Sequence, residues 1–171
     1  MRVLHVASEV YPLIKTGGLA DVAAALPAAL MRIGVDARIL VPGYPAVLEK
    51  LADLRPVRTL ADPWTTGGTV LMKGTTPDGV PCYAVDAPEM YGRPGNPYLG
   101  PDGKDWPDNH FRFALLSWVA AWIAGDDGGR RWRPDVVHGH DWQAGLASAY
   151  LALGGGPRAA TVLTIHNLGG K

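Results

Sequence analysis

Apolar and polar positions along the chain form two kinds of segment, short continuous apolar runs and longer runs with helical spacing. Continuous β-branched runs over residues 2–8 and 36–43 predict strands that are buried on both faces. Between them, residues 19–33 carry apolar side chains at spacings of three and four, which predicts a helix that stops at Gly34 and bends at Pro27. Together they predict a βαβ unit with a parallel strand pair.

The middle of the chain has a different pattern. Two β-like runs flank the turn signature "TPDG" and predict a hairpin added to the parallel sheet. Residues 88–105 are crowded with Gly, Pro and Tyr, which predicts an irregular surface loop. Residues 108–124 then predict a helix whose apolar face includes Phe111, Trp118 and Trp122.

The last third alternates again between strand and helix patterns. The segment "DVVHGHD" predicts a short strand, residues 142–153 predict a helix, and "AATVLTIHN" predicts another buried strand. Such alternation predicts an α/β fold of the Rossmann-like kind, a doubly wound parallel sheet with right-handed crossovers and an inserted β-hairpin.

Composition narrows the function classes. Sixteen Lys and Arg residues balance sixteen Asp and Glu residues, and no basic run marks a nucleic-acid footprint, so no nucleic-acid partner is expected. The single cysteine, Cys82, and an N-terminus without a secretion signal favour a cytoplasmic location. No apolar stretch approaches the roughly 20 residues that a membrane helix needs, so no membrane partner is expected.

Polar residues follow four of the predicted strands, at the point where each strand ends: Ser8, Glu9, Gly43, Tyr44, His138, His140, Asp141, His166 and Asn167. Because the carboxyl ends of parallel strands meet at one edge of a sheet, we expect the ligand site at that edge.

The stretch "KTGGL" follows the first strand and opens the first helix. It matches neither a Walker A loop nor a dinucleotide fingerprint. Its ingredients still suit a phosphate group, because Gly17 and Gly18 admit close backbone approach and Lys15 adds a mobile positive charge beside free helical N–H groups. The alternative is a tight turn with a solvated surface lysine.

The "HGHD" segment also leaves alternatives open. His138, His140 and His166 could form a metal site of the hydrolase type, or hydrogen-bond a polyhydroxy ligand. For His5, inside the first strand, a core position bonded to backbone carbonyls is favoured.

Aromatic and acidic residues near this edge are candidate sugar contacts. Trp142 and Tyr91 are placed to lie against a sugar ring, although Trp142 could equally anchor the helix start. Glu9 and Asp21 flank the segment "KTGGL" (residues 15–19, the lysine corner). They either accept hydrogen bonds from hydroxyls or only cap and solubilise the helix.

Four segments, in order and with their spacing, closely resemble the N-terminal part of the bacterial glycogen synthase and plant starch synthase family. They are "SEVYPLIKTGGLADV", "DAPEMYGRPGNPY", "RPDVVHGHDWQAGL" and "TIHNL". The resemblance implies a retaining glycosyltransferase with two Rossmann-like domains (GT-B). It would transfer glucose from ADP-glucose to the non-reducing end of an α-1,4-glucan, without a metal or other cofactor.

The resemblance also implies roles for individual residues. Lys15, Gly17, Gly18 and Asn167 would bind the donor, with Lys15 and the Gly18 amide at its diphosphate. His166 would face the transferred glucose, its side chain near the sugar hydroxyls and its carbonyl near the anomeric carbon.

Further roles follow by position. Asp141 would bind glucosyl hydroxyls or help to hold the active geometry. Glu9, Asp21, Tyr91 and Trp142 would line the acceptor side.

The sequence departs from the family in extent. Residues 1–171 are expected to be the acceptor-side Rossmann-like domain, incomplete and truncated, without the second, nucleotide-binding domain, and the final "TIHNLGGK" leaves the family wording after Asn167. We therefore expect no turnover by this chain alone. A non-catalytic glucan-binding module is the alternative, and UDP-glucose stays open as the donor.

Overall fold

Seven strands make up a single mixed sheet in the computed structural model, which describes residues 1–125, 127–129, 131–155 and 158–167. The strands are β1 (Arg2–Val6), β2 (Asp36–Pro42), β3 (Ala52–Leu60), β4 (Thr69–Thr75), β5 (Pro81–Asp86), β6 (Val136–His140) and β7 (Ala160–Thr164). Their order across the sheet is β3-β4-β5-β2-β1-β6-β7. The sequence after Asn167, where the family wording is left, lies outside the described residues.

Within these described ranges, five helices and one 3-10 turn connect the strands. They are α1 (Gly18–Arg32), α2 (Pro45–Lys50), α3 (Pro88–Tyr91), α4 (Asn109–Ala124), the 3-10 turn (Trp142–Ala144) and α5 (Leu146–Leu153). The helix α1 continues through Pro27 and is followed by Gly34 with a positive φ of 87°, as expected for a glycine stop. On the sheet, α1 packs against β2, while α4 packs against β1, β2 and α5.

The predicted parallel core is confirmed. β1 pairs in parallel with β2 and β6, β2 with β5, and β6 with β7. β1, β2 and β5 are almost fully buried, because helices cover both faces of a doubly wound sheet. A sheet of this kind directs the carboxyl ends of β1, β2, β5, β6 and β7 to one edge.

The inserted hairpin is also confirmed, and it is larger than predicted. β4 and β5 are antiparallel around the "TPDG" turn, and β3, which the sequence pattern missed, pairs antiparallel with β4. β3 is mostly exposed and contains Pro56, which an edge strand tolerates because its outer N–H groups need no partner.

Three sequence predictions need correction. β7 was expected to be buried, but it is an edge strand of the described sheet, and Val162 and Leu163 are about half exposed. The predicted apolar face of α4 included Phe111, which is exposed, whereas its neighbours Arg112 and Phe113 are buried. The expected irregular loop over 88–105 begins with the short helix α3.

The single cysteine lies in the core on β5. Cys82 is fully buried, and burial raises the pKa of its thiol far above the ordinary value. Among the described helices, none has both the length and the apolar character to cross a bilayer.

Candidate functional site at the carboxyl edge of the sheet

The predicted site residues meet at the carboxyl edge. The lysine corner follows β1, the "HGHD" segment ends β6, and His166 follows β7. Since β1, β6 and β7 are parallel neighbours, all three segments lie at the same edge of the sheet. The placement expected from the sequence pattern is therefore confirmed.

The start of α1 is open to an approaching ligand. The first N–H groups of a helix have no intrahelical partner. Gly17 is the N-cap residue of α1 and has no side chain that could accept a hydrogen bond from them. A Cβ atom added at Gly17 or Gly18 would meet nothing within 4 Å. This helix start has free space and the partial positive charge that suits an anion.

Lys15 stands beside this helix start and is paired with Asp21. Its Nζ lies 2.8 and 2.7 Å from the two carboxylate oxygens of Asp21, in the first turn of α1. The side chains are 44% and 51% exposed, and ion pairs at that exposure contribute little to stability. The ammonium group can therefore exchange this partner for an anionic ligand.

Glu9 holds the loop that precedes α1. Its buried carboxylate accepts hydrogen bonds from the backbone N–H and the hydroxyl of Thr16, from the Gly17 N–H at 3.4 Å, and from the Tyr98 hydroxyl. Burial, and next the bond to Glu9, raise the pKa of Tyr98. The oxygens of Glu9 are thus engaged by the protein, and its predicted contact with an acceptor stays a prediction.

Asp141 fixes the end of β7. Its Oδ1 atom accepts hydrogen bonds from the backbone N–H of His166 at 2.6 Å and of Asn167 at 3.3 Å. The residue is buried and has φ 60° and ψ −175°, a region populated almost only by glycine. The strained backbone of Asp141 thus places its carboxylate within hydrogen-bond distance of the backbone N–H groups of His166 and Asn167.

Three histidines form a hydrogen-bonded row from the core to this segment. Nδ1 of His5 lies 3.4 Å from Nε2 of His140, and Nδ1 of His140 lies 3.0 Å from Nε2 of His166. His5 is a core residue as expected, but its partner is a histidine instead of a backbone carbonyl. Its other nitrogen, Nε2, is buried with no hydrogen-bond partner among the described residues.

Burial keeps the inner histidines neutral. Desolvation, and next the charge of His138, lower the pKa of His5 to about 4. Desolvation, followed by the neighbouring histidines, lowers the pKa of His140 to about 3. The pKa of His138 is also lowered, first by burial and then by His166. At neutral pH each of these rings therefore carries one N–H donor and one lone pair.

The ring geometry favours hydrogen bonding over a shared metal ion. Ring nitrogens of His5, His138 and His140 lie within 4.8 Å of one another. The His138 and His5 rings are each stacked on the His140 ring, at 20° and 27°, and are tilted by 41° to each other. Because imidazole lone pairs lie in the ring plane, those of the two stacked pairs do not converge on one point. His138 also uses Nε2 to contact the Thr164 hydroxyl at 2.7 Å.

The two predicted aromatic platforms differ. Trp142 is 60% exposed at the site edge, and its ring packs edge-on against Phe113 at 5.2 Å. Tyr91 is fully buried in α3, and its hydroxyl donates to the backbone carbonyl of Arg112. The expectation that Tyr91 presents its ring from a surface loop is therefore wrong in this structure.

Arg112 is the residue that sequence reasoning missed. It is buried in α4 and donates to the carbonyls of Met90 at 2.7 Å and Pro97 at 2.8 Å, and to Asn109 Oδ1 at 2.7 Å. Burial lowers its pKa. Through the bonds to Met90 and Pro97, Arg112 holds the Gly/Pro-rich segment (residues 88–105) against α4. The sequence signal that could have identified Arg112 is an arginine within an otherwise apolar helix.

These features define an α/β protein whose candidate ligand site lies at the carboxyl edge of a doubly wound sheet. The chain belongs to the starch synthase catalytic domain family, whose model matches residues 2–171. The resemblance expressed by the four sequence segments is thereby confirmed.

Individual relatives agree with the family. The chain is 52% identical to a glycogen synthase of Paramagnetospirillum magneticum, over 98% of the chain and 35% of that protein. It is 54% identical to a glycogen synthase of Rhodopseudomonas palustris, over 96% of the chain and 33% of that protein. The chain thus spans about a third of the length of the curated relatives it matches.

A solved structure shows the same fold. The catalytic domain of starch synthase IV from Arabidopsis thaliana, bound to ADP and acarbose, superposes with a TM-score of 0.75 at 28% identity. The match covers 96% of this chain and 34% of the plant chain. The predicted fold class, a Rossmann-like α/β sheet of the GT-B type, is therefore confirmed.

Proposed function

We propose that the chain is the acceptor-side part of a retaining glycosyltransferase that moves glucose from ADP-glucose to the non-reducing end of an α-1,4-glucan in the cytoplasm. The observation that carries the proposal is that the open α1 start, with Lys15, and the His166 segment lie at the same edge of the sheet. The family supports it, as does the plant relative whose structure holds ADP and acarbose.

On the donor side, Lys15 and the Gly18 N–H bind the diphosphate, and Gly17, whose own N–H donates to Glu9, leaves room for the donor because it has no side chain. The charge of Lys15 and the helix start together compensate the two phosphates, and a Cβ atom added at Gly17 or Gly18 would meet nothing within 4 Å. Asn167, which follows His166 on the same turn, contributes to the donor side of the cleft.

On the sugar side, His166 faces the transferred glucose. Its ring donates to sugar hydroxyls, and its backbone carbonyl dipole stabilises the positive charge that develops at the anomeric carbon in an oxocarbenium-like transition state. Asp141 acts by holding the backbone of His166 at 2.6 Å. We assign no metal or other cofactor to the transfer.

On the acceptor side, Trp142 offers an exposed ring for a glucan, and Glu9 and Asp21 lie next to the lysine corner. For Tyr91 we propose only an indirect contribution, through its bond to the Arg112 carbonyl.

Binding of the donor can be tested on this chain alone. Isothermal titration with ADP should give a single site that Lys15→Met weakens by about tenfold, the value expected for a charge-assisted contact to phosphate. Lys104→Met, at an exposed lysine in the Gly/Pro-rich segment, is the matched control. Equal affinities of the two variants would contradict the donor assignment.

Transfer is tested with labelled ADP-glucose and maltohexaose. We expect no transfer by this chain alone, because a diphosphate held from one side lacks the closed cleft that positions it. In a polypeptide that spans the full length of the curated relatives and carries these residues, His166→Ala should lower the transfer rate by about a hundredfold or more. Transfer that survives His166→Ala unchanged would overturn the catalytic assignment.

The exposure of Trp142 also favours a second candidate, a glucan-binding module without chemistry. Titration of the chain with maltohexaose distinguishes the two. Glucan binding lost in Trp142→Ala and kept in Lys15→Ala, together with no affinity for ADP, would support the binding module.

A further inference from the structure

A pocket of about 340 Å³ lies away from the candidate site, on the face of the sheet that α4 covers. Its floor includes Arg38 and Tyr83, each the third residue of its strand, β2 and β5. The carboxyl ends of the same strands lead to the candidate site. The pocket therefore belongs to the amino-terminal half of the sheet, and its volume lies within the range of small-molecule sites.

The lining of this pocket is cationic. Arg38, Arg55, Lys73 and Arg131 line it, and the described lining residues include no carboxylate. Arg38 is paired with Asp36 at 3.4 Å, and Arg131 with Asp127 at 2.6 Å.

Two of these cations have no ion-pair partner within the described ranges. The side chains of Arg55 and Lys73 form no hydrogen bond or ion pair there; the Lys73 Nζ lies 5.8 Å from the centre of the Tyr83 ring, and the charge of Asp36 offsets only part of the effect of the neighbouring cations on Lys73. They are direct cross-strand partners in the β3–β4 register, so both side chains lie on the same face of the sheet. Like charges in directly opposite positions repel each other and destabilise the strand pair.

The environment of Lys73 reflects this repulsion. Burial, followed by the charges of Arg38 and Arg55, lowers the pKa of its ammonium group. An anion placed between Lys73 and Arg55 would relieve the repulsion inside a partly desolvated pocket, where electrostatic interactions are stronger than in bulk water.

The walls are aromatic and held in place. The Arg131 guanidinium lies 3.8 Å from the centre of the Trp122 ring, and the Arg38 guanidinium lies 4.2 Å from the Trp132 ring. Trp132 donates its Nε1–H to Asp36 at 2.8 Å, which fixes the ring further. The pocket thus combines pre-positioned apolar walls with unpaired positive charge.

We propose that this pocket binds a small organic anion whose ring lies against Trp122 and Trp132 and whose anionic group lies between Lys73 and Arg55. The site is independent of the proposed glucosyl transfer, because none of its residues belongs to the carboxyl-edge site.

The probe is naphthalene-2-sulfonate, with the neutral 2-naphthol as its matched ligand, titrated calorimetrically into the chain at low salt. We expect one sulfonate per chain, with affinity that falls as salt rises, and about tenfold weaker binding of the naphthol. Equal affinity for the two probes, or no binding of the sulfonate, would overturn the proposal.

Three variants locate the site. Lys73→Gln and Arg55→Gln should each weaken sulfonate binding by about tenfold, while Arg58→Gln, on the same exposed strand but outside the lining, should leave it unchanged. Both lining variants should stay folded in thermal melts, because each removes a repulsive charge. Unchanged affinity in Lys73→Gln, or tight binding of inorganic phosphate without the ring, would refute the assignment.

Discussion

Nδ1 of the buried His140 lies 3.0 Å from Nε2 of His166, so a core histidine orients the ring that the proposed mechanism places against the sugar. The row continues inward to His5, whose Nε2 atom has no hydrogen-bond partner in the described part of the chain. This arrangement has consequences for the proton on His166.

The row should fix the tautomer of His166. In one direction, His5 Nδ1–H donates to His140 and His140 Nδ1–H donates to His166, which leaves the unpartnered Nε2 of His5 as a lone pair. In the opposite direction, His166 donates to His140 and His140 donates to His5, which leaves a buried N–H at Nε2 of His5 without an acceptor. Buried orphan N–H groups are the rarer case. We therefore expect His166 to carry its proton on Nδ1 at neutral pH, seen by long-range ¹⁵N–¹H correlation. A proton on Nε2 in the native chain would contradict this direction, and His140→Phe should abolish the preference.

The buried histidines should make the fold sensitive to acid. Their pKa values of about 4 for His5 and about 3 for His140 lie below the ordinary 6.5, so the unfolded chain binds protons that the folded chain does not. The stability they contribute is fully present above about pH 6.5 and falls toward pH 3, by on the order of 1 kcal/mol per pH unit for each histidine. Urea unfolding at pH 7 and pH 5 measures it. His5→Phe should flatten this slope, and His110→Phe, at an exposed histidine, should not.

The backbone strain at Asp141 can be separated from the hydrogen bonds of its carboxylate. Asp141→Ala keeps the strained φ and loses both bonds, so we expect a loss of about 2 to 4 kcal/mol in the free energy of unfolding. Asp141→Gly loses the bonds but relieves the strain, and it should be more stable than the alanine variant by on the order of 1 kcal/mol. Asp141→Asn, which keeps an acceptor, should lose least. A glycine variant no better than alanine would show that the strain is absent.

Asp21 should compete with an anion for Lys15. Asp21→Asn removes the ion pair without changing the shape of the helix start, so ADP should bind several-fold more tightly to the variant in calorimetric titrations. The free energy of unfolding should change by less than about 1 kcal/mol, since the pair is half exposed. Glu49→Gln, at an exposed carboxylate on α2, controls for the change in net charge. Weaker ADP binding in Asp21→Asn would assign the aspartate itself to the donor.

The exposed strand β7 should promote self-association. Val162 and Leu163 on β7, and Ile165 just after it, are between 47% and 59% exposed, and β7 is an edge strand with unpaired backbone groups on one side in the described sheet. Analytical ultracentrifugation should show association that grows with concentration and that Leu163→Lys reduces. Ile33→Lys, at an exposed apolar residue away from the sheet, should leave it unchanged. A chain that stays monomeric at high concentration would contradict this expectation.

The sequence pattern predicted the elements that depend on local periodicity. The strands β1, β2 and β6 and the helices α1 and α4 lie within a residue or two of their predicted bounds, because continuous apolar runs and helical spacing are strong local signals. β3 was missed because "ADLRPVRTL" has no continuous apolar run, carries charged residues and contains a proline.

Features that depend on tertiary neighbours could not be predicted. Phe111 and Phe113 fit the helical pattern of α4 almost equally, and packing of the Gly/Pro-rich segment decides which is buried. The motif predicted that His140 and His166 share an edge, but the direction of each ring depends on the register of β6 and β7. The cationic pocket joins four strands and a helix end, so no sequence stretch displays it.

Cys82 gives this chain a practical advantage for spectroscopy. Its thiol is sealed in the core and strongly disfavours ionisation, so the native sequence presents no reactive sulfur to maleimide reagents. A cysteine introduced at an exposed position, such as Val22 near the start of α1, could then be labelled selectively without removing the native one. Fluorophores or spin labels attached there would report occupancy of the cleft directly.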